Sequence, residues 1–320
     1  MSHIAISMPA LGVQEGLEKP KIALRVPWTS SPMMLGTGYD STAMHFTYSS
    51  PFKSLRDVAY YDQHEPRRQA SYIQATSNRS SSVHEHVDLA FQGEIGNALA
   101  GGSARGSYMK RVAQDRSGTR LSTRVSSREG SIRFGTTPVL RTEAVELLVR
   151  QPNEFRRRFG DYFVSSMILG ADNAVFLSLS AEDNNSLEAF HATIEGHLLG
   201  LGANKTVATL DQAASQKCEV QVEVFDSLWN KHESRYFSTS SGDTTEFQTL
   251  KDLALTYLEA GKRLSHRAKE ATKPIVEGSR EISAASVEAL AASANVAELS
   301  LLPFASLREF MMASALHRLV

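Results

Sequence analysis

The chain has 320 residues, 42% of them hydrophobic and 22% charged, and its formal net charge is −1 at pH 7. This length fits two domains or one large domain, and the near-neutral charge gives no whole-chain argument for binding nucleic acid. The single cysteine, Cys218, excludes an intramolecular disulfide and a thiolate metal cluster.

Residues 1–22 are typical of a loose N-terminal leader. They lack a basic stretch followed by an apolar core, so we expect no secretory signal. The chain has no apolar stretch of the ~18 residues or more that a membrane-spanning helix needs. We therefore expect a protein that is cytoplasmic as synthesised and that would need a leaderless route to act outside the cell.

Signals before residue 83 are weak. Residues 23–26 are a short apolar run that predicts a strand, and residues 36–40 are a glycine-rich turn cluster. Residues 51–66 predict a loop. Residues 67–82 are rich in Ser, Arg and Gln and have no clear periodicity, so we expect them to be weakly structured.

Two competing patterns occupy residues 83–99. Strict alternation of apolar residues predicts a half-buried strand, whereas recurrence every four positions predicts a helix, and the sequence leaves both open. The apolar residues that carry these patterns are Val87, Leu89, Phe91, Ile95 and Leu99. A glycine-rich tip follows at residues 101–106, and an alternating return segment covers residues 119–134.

Short helices and one long strand are predicted next. Residues 138–158 have helical periodicity, with Thr142 as N-cap and a break at Pro152. From Tyr162 onward both alternating sets of side chains are largely apolar, which predicts a central strand covered on both faces. The small residues at 170–173 interrupt this strand and predict a bend.

The pattern of the first segment then recurs at residues 184–225. Helix and strand templates again both fit, and the apolar residues that they share are Phe190, Ile194, Leu198 and Leu201. The return strand at residues 217–225 has the cleanest alternation in the chain. From residue 245 the pattern is largely helical, and we expect residues 301–320 to form a C-terminal helix.

The sequence gives no argument for an enzyme. It has no G-x-S-x-G nucleophile motif, and residues 200–206 lack the glycines that a phosphate-binding loop needs. His84 and His86 have no further ligands at metal-site spacing. We therefore predict no catalytic residues, no metal and no cofactor.

One charged segment stands out. Its basic residues include Arg105, Lys110, Arg111, Arg120 and Arg124. Such a run is ordinarily a solvated face, but near a membrane surface each basic residue adds ~1 kcal/mol of attraction to anionic lipid. Tyr108 is the only aromatic residue there that could stack on bases, so the sequence predicts no nucleic-acid partner.

The two dual-pattern segments match what membrane hairpins require. A transmembrane β-strand needs ~9–11 alternating residues, and a hairpin in lipid must close its edges by pairing with further copies in a barrel. A segment stored as helices and released as hairpins would carry both periodicities. Equally, these segments fit ordinary helices or strands that never move.

A short signature then resembles a known family. Phe159-Gly160-Asp161-Tyr162-Phe163, followed by Gly170-Ala171, resembles the membrane attack complex/perforin (MACPF) signature, an aromatic-Gly-Thr-His-aromatic run with a later Gly-Gly. Residues 35–40 are similar to the early glycine-rich turn of that family. Asp161, Tyr162 and Ala171 depart from the pattern. With one cysteine, the chain is most similar to the cysteine-poor fungal type.

The resemblance implies an α+β fold like that of the MACPF and cholesterol-dependent cytolysin (CDC) proteins. This fold has a bent, twisted four-stranded antiparallel sheet flanked by two helical clusters, with C-terminal helices. The domain would span residues 23–300, with insertion segments at residues 83–134 and 184–225. The signature would border a hinge at Gly170, which Ala171 would stiffen.

The resemblance also implies a function. The chain would assemble as a homo-oligomeric ring or arc on a lipid membrane and insert two β-hairpins per subunit into a shared barrel. Targeting would depend on the basic first segment or on a partner protein. The alternative is a non-lytic cytosolic interaction or scaffold protein with the same fold.

Overall fold

The computed structural model describes residues 23–27, 33–47, 49–53, 59–75, 104–114, 119–181, 218–238, 244–276 and 280–317. The strands are β1 (Leu24–Pro27), β2 (Gly38–Asp40), β3 (His45–Phe46), β4 (Ala59–Ala75), β5 (Thr119–Phe134), β6 (Tyr162–Ala181), β7 (Cys218–Asp226), β8 (Lys231–Ser238), β9 (Glu281–Ile282) and β10 (Val296–Pro303). The helices are α1 (Ala104–Gln114), α2 (Thr142–Arg150), α3 (Pro152–Phe159), α4 (Thr244–Lys262), α5 (Leu264–Val276), α6 (Ala284–Ala292) and α7 (Arg308–His317).

These strands form one antiparallel sheet whose centre is β6. Strands β4, β5, β6 and β7 pair in that order as a four-stranded meander. Strand β10 pairs with the first half of β6 and β7 with the second, while β8 extends the sheet beyond β7. The predicted α+β class, with a large antiparallel sheet and flanking helices, is confirmed, and the sheet is larger than the four strands expected.

Both long connections within the meander leave from the same end of the sheet. Residues 76–118 join β4 to β5 beyond the pair Ala75–Arg120. Residues 182–217 join β6 to β7 beyond the pair Ala181–Cys218. Helices α2 and α3 join β5 to β6 at the opposite end.

The sheet is irregular where β6 reaches Leu169 and Gly170. There β5 carries Glu129 as an extra residue, between the pairs Arg128–Gly170 and Gly130–Leu169. Strand β10 carries Ala297 as an extra residue at the same level, and β4 loses register between Gln63 and Arg67. Bulges bend a strand and increase its twist. Register irregularities in β4, β5 and β10 at the same level therefore predict a bend of the sheet here.

Proline and glycine set the helix boundaries at the far end. Helix α2 cannot continue through Pro152, which occupies the first turn of α3. Arg141, not the predicted Thr142, is the N-cap of α2. Helix α3 ends at Gly160, whose φ of +78° favours glycine.

An aromatic cluster fixes α2, α3 and α7 to this end of the sheet. Its buried residues include Leu148, Phe155, Phe159, Phe163 and Phe304. The rings of Phe155 and Phe304 meet edge to face at 5.4 Å.

No helix in the described ranges is both long enough and apolar enough to span a bilayer.

Two strands differ from the sequence expectations. Strand β4 covers residues predicted as a loop and as weakly structured, because its long register with β5 outweighs its low apolar content. Pro66 is tolerated because it lies in the interruption of that register. Strand β10 lies within the stretch predicted as helical and includes residues 301–303 of the expected C-terminal helix.

Candidate functional site at the bend of the central strand

The signature residues and the early glycine-rich turn, predicted separately, contact each other. Gly38 and Tyr39 of β2 pair with Phe163 and Tyr162 of β6. A β-carbon on Gly38 would lie 2.0 Å from the carbonyl oxygen of Phe159, and one on Gly160 would lie 2.1 Å from that of Tyr39. Both positions therefore need glycine, because two backbones approach each other there.

Asp161 holds this junction closed. Its carboxylate accepts hydrogen bonds from the backbone N–H of Ser41 at 2.8 Å and from the Ser41 hydroxyl at 2.7 Å. Its own N–H donates to the Tyr39 carbonyl oxygen at 3.0 Å. Phe163 is buried, with its ring 5.0 Å from that of Phe52. The signature thus builds a tight structural junction in this conformation.

Gly170 lies at the bend itself. Its φ is +155°, and a β-carbon there would lie 2.0 Å from the carbonyl oxygen of Ser127. Its N–H donates to the carbonyl oxygen of Asn295 at 2.8 Å. Ala171 is fully buried in a cluster with Leu264 and Ala268 of α5. Gly170 therefore cannot take a side chain without a shift of the β5 backbone.

An ionic cluster centred on Asp172 follows directly. Its fully buried carboxylate contacts Arg105 of α1 at 2.5 Å and two guanidiniums of β5, Arg124 at 3.2 Å and Arg128 at 3.1 Å. Arg128 also pairs with Glu298 of β10 at 2.5 Å. One carboxylate therefore links α1, β5 and β6 at the bend, and Arg128 extends the link to β10.

This environment keeps Asp172 ionised. Burial alone would raise the pKa of its carboxyl, but Arg128, Arg124 and Arg105 together hold that pKa far below its ordinary value. A carboxylate with so low a pKa stays charged at any physiological pH. Acidification within the physiological range therefore does not release the cluster.

Helix α1 covers this face of the sheet with an apolar contact. Tyr108, Met109 and Val112 are buried against Phe176 of β6 and Phe225 of β7. The Tyr108 ring lies 6.2 Å from the ring of His232 on β8. Arg105 therefore reaches Asp172 from a helix that is already packed on β6, β7 and β8.

A second ionic cluster holds the opposite face. Asp226 of β7 is fully buried and accepts hydrogen bonds from Arg267 of α5 at 2.7 and 3.1 Å and from Asn173 at 3.0 Å. The Arg267 guanidinium lies 4.4 Å from the centroid of the Trp229 ring. A β-carbon on Gly261 of α4 would lie 2.8 Å from Asn173, so this helix also approaches the bend closely.

The predicted site residues fall into three groups. Signature and bend residues come together as described. In the basic segment, Lys110 and Arg111 are exposed, but Arg105 and Arg120 are buried and Arg124 is only 13% exposed, so these three are not available to lipid in this conformation. The predicted insertion residues lie outside the described residues: Val87, Leu89, Phe91, Ile95, Leu99, Phe190, Ile194, Leu198 and Leu201.

Sequence reasoning did not identify Asp172, Asp226 or Arg267 as site residues. A signal was present for one of them, because Asp172 interrupts a strand that is apolar on both faces. A charge in such a strand must be buried, and buried charges are almost always paired. Its partner residues lie 44 to 67 positions away in the chain, and no spacing rule connects them.

Solved structures of several toxins and related proteins are similar to the chain at low sequence identity. It is similar to a non-hemolytic pneumolysin from Streptococcus pneumoniae, with 11% identity, a TM-score of 0.33, and coverage of 75% of this chain and 40% of that one. For stonustoxin the identity is 9% and the TM-score is 0.32, and the match covers 92% of this chain and 34% of that one. A protein described as a cell invasion protein with a MAC/Perforin domain, from Bacteroides thetaiotaomicron, is 7% identical with a TM-score of 0.27. The match covers 79% of this chain and 62% of that one.

The chain therefore spans less than two thirds of each of these proteins. No family model matches the chain, and no curated protein matches it by sequence.

Proposed function

We propose that this chain is a pore-forming protein of the MACPF kind, of the cysteine-poor fungal type, that acts without catalysis. It would assemble as a ring or arc on a lipid bilayer and insert two β-hairpins per subunit into a shared barrel. The observation that carries the proposal is the meander. Both of its long connections leave from one end of the sheet, each between two antiparallel strands that are already paired.

The strands next to these connections already have a membrane-like alternation. On one face, β7 buries Val220, Val222 and Val224, whereas Gln221 and Glu223 lie on the other. Strand β5, on the other side of β6, also alternates, with Thr123 and Val125 on one face and Ser122, Arg124 and Ser126 on the other. Hairpins that continued this alternation would present one apolar and one polar face, as a transmembrane barrel strand must.

The connections are also long enough. Residues 76–118 and 182–217 each exceed the two strands of ~9–11 residues that one membrane hairpin needs. Lipid does not tolerate an open sheet edge, so hairpins from several copies would have to close together. Among the described residues β4 pairs only with β5 beyond Tyr60, which leaves the outer edge of β4 for a second copy.

The direct test is dye release from liposomes of neutral lipid and of mixed neutral and anionic lipid. We expect release that rises steeply with protein concentration, together with rings or arcs by electron microscopy. The control is a Cys218→Ser chain with an engineered disulfide between α1 and β8, placed next to Tyr108 and His232. It should release dye only after reduction. Absence of release and of membrane-bound oligomers at every composition would contradict the proposal.

A second candidate is a non-lytic interaction protein with the same fold. The cluster around Asp226 favours it, because the Asp226–Arg267 pair fastens α5 to the sheet. In this case the chain would bind a membrane or a targeting partner protein without releasing dye. Full function of the disulfide-locked chain under oxidising conditions would then be expected.

A further inference from the structure

Helix α1 is held to the sheet by two contacts of different chemistry. The apolar part is the packing of Tyr108, Met109 and Val112 on β6 and β7. The ionic part is Arg105, whose guanidinium donates to Asp172 at 2.5 Å and to the carbonyl oxygen of Ala297 at 3.5 Å. Arg105 thus reaches the bend itself, where β10 carries its bulge.

Asp172 does not depend on Arg105 alone. Its oxygen atoms also accept from Arg124 at 3.2 Å and from Arg128 at 3.1 and 3.3 Å, and both of these arginines lie on β5. Its backbone N–H donates to the Ser227 hydroxyl at 2.9 Å. If α1 left the sheet, Asp172 would keep two guanidiniums and would not become an unpaired buried charge, the usual reason that breaking a buried ion pair is costly.

The Arg105 guanidinium also lies near two other positive charges, those of Arg124 and Arg128. Burial is the largest effect on its pKa and lowers it, Asp172 and Glu298 oppose this, and Arg124 and Arg128 lower it further. In solution the Arg105 guanidinium would regain water and lose this repulsion. The ionic contact therefore resists undocking of α1 less than an isolated buried pair would.

We propose that α1 is an autoinhibitory plug whose ionic contact is compensated in advance: Arg124 and Arg128 neutralise Asp172 so that Arg105 can leave. This inference rests on the proposed function, because undocking α1 is what would free the connection between β4 and β5. The apolar packing then sets the barrier to opening. Removal of a residue of the ionic cluster would ordinarily weaken the docking of α1. Removal of Arg124 should instead strengthen it, because Asp172 would then depend more on Arg105.

The test is amide hydrogen exchange of the full chain in solution, without lipid. In the wild-type chain the amides of α1 should exchange through a local opening, clearly faster than those of β6. The Arg124→Gln variant should slow α1 exchange relative to wild type by about fivefold, the effect of a coupling near 1 kcal/mol. Arg105→Gln should accelerate α1 exchange more in the Arg124→Gln background than in wild type.

Arg133→Gln is the matched control, because Arg133 lies on β5 but pairs with Asp62. It should leave α1 exchange unchanged. Faster or unchanged α1 exchange in Arg124→Gln, or equal effects of Arg105→Gln in both backgrounds, would overturn the proposal. If Arg124→Gln does not fold, the wild-type experiment still decides, since exchange of α1 together with β6 would reject a separable plug.

These results are independent of dye release. If α1 opens locally in a chain that never releases dye, the result contradicts the proposed pore formation but not the proposal for α1. If the chain releases dye although α1 opens only when the whole domain unfolds, the result supports pore formation and contradicts the proposal for α1.

Discussion

Replacing Asp172 by asparagine tests the cluster at the bend most directly. The substitution keeps the size of the side chain and removes its charge. Arg105, which is 5% exposed, would then face Arg124 and Arg128 without the carboxylate that neutralises them. Removing one partner from a buried ion pair costs ~3–5 kcal/mol, so we expect the free energy of unfolding to fall by about that much.

The matched control is Asp62→Asn. Asp62 also has two arginine partners, Arg133 at 2.5 Å and Arg280 at 3.2 Å, but its side chain is 23% exposed and theirs are 43% and 68% exposed. Exposed pairs contribute ~0–1 kcal/mol, so this variant should lose little. Guanidinium unfolding at pH 7, followed by circular dichroism, measures both. A loss below about 1 kcal/mol for Asp172→Asn, equal to that of the control, would mean that the buried cluster contributes no more than an exposed pair.

The pH dependence of the same comparison has a definite sign. The native pKa of Asp172 lies below its unfolded value, so its contribution is complete above the unfolded pKa of ~3.9 and disappears as the pH falls below it. The difference between wild type and Asp172→Asn should be constant from pH 7 to about pH 5 and shrink below about pH 4. A difference that vanished near pH 6 would contradict the assigned shift.

Three further substitutions test other contacts. Gly160→Ala should lower the free energy of unfolding by about 3–5 kcal/mol, because φ is +78° and the new methyl would lie 2.1 Å from the Tyr39 carbonyl oxygen; the helical Gly106→Ala is the control and should cause no loss in the same denaturant titration. Tyr39→Phe should leave stability unchanged or raise it by up to ~1 kcal/mol, since the buried hydroxyl has no hydrogen-bond partner within the described ranges; a clear loss by calorimetry would argue against this. Arg267→Met should cost ~3 kcal/mol by leaving Asp226 without its cation and should change the emission of Trp229, 4.4 Å away; unchanged fluorescence would contradict the contact.

The sequence predicted the elements whose signal is local. Strand β6 was recognisable because both of its faces are apolar, and β7 because valines alternate with polar residues from Val220 to Val224. The break at Pro152 separates α2 from α3 as expected. Each of these features depends on neighbouring residues, so one sequence was enough.

Elements whose stability comes from distant partners were missed. Strand β4 has little apolar patterning of its own and is held by its register with β5. Strand β10 alternates Leu299 and Leu301 with Ser300, a period that was present but assigned to a helical stretch. Arg105, Arg120 and Arg124 were expected in a basic run at the surface. The alternation of β5 indicates a polar face for Arg120 and Arg124 but not that this face is covered, and no local pattern pairs Arg105 of α1 with Asp172.

In the proposed pore the two connections enter the bilayer as hairpins, and site-specific labelling tests whether they do. Single cysteines are placed in turn at each position from 190 to 198 in a Cys218→Ser chain and labelled with a dye sensitive to polarity. On liposomes, we expect a blue shift and quenching by lipid-borne quenchers at every second position, including Phe190 and Ile194. Labels that stay in water at every position, on a chain shown to be bound to the membrane, would contradict it.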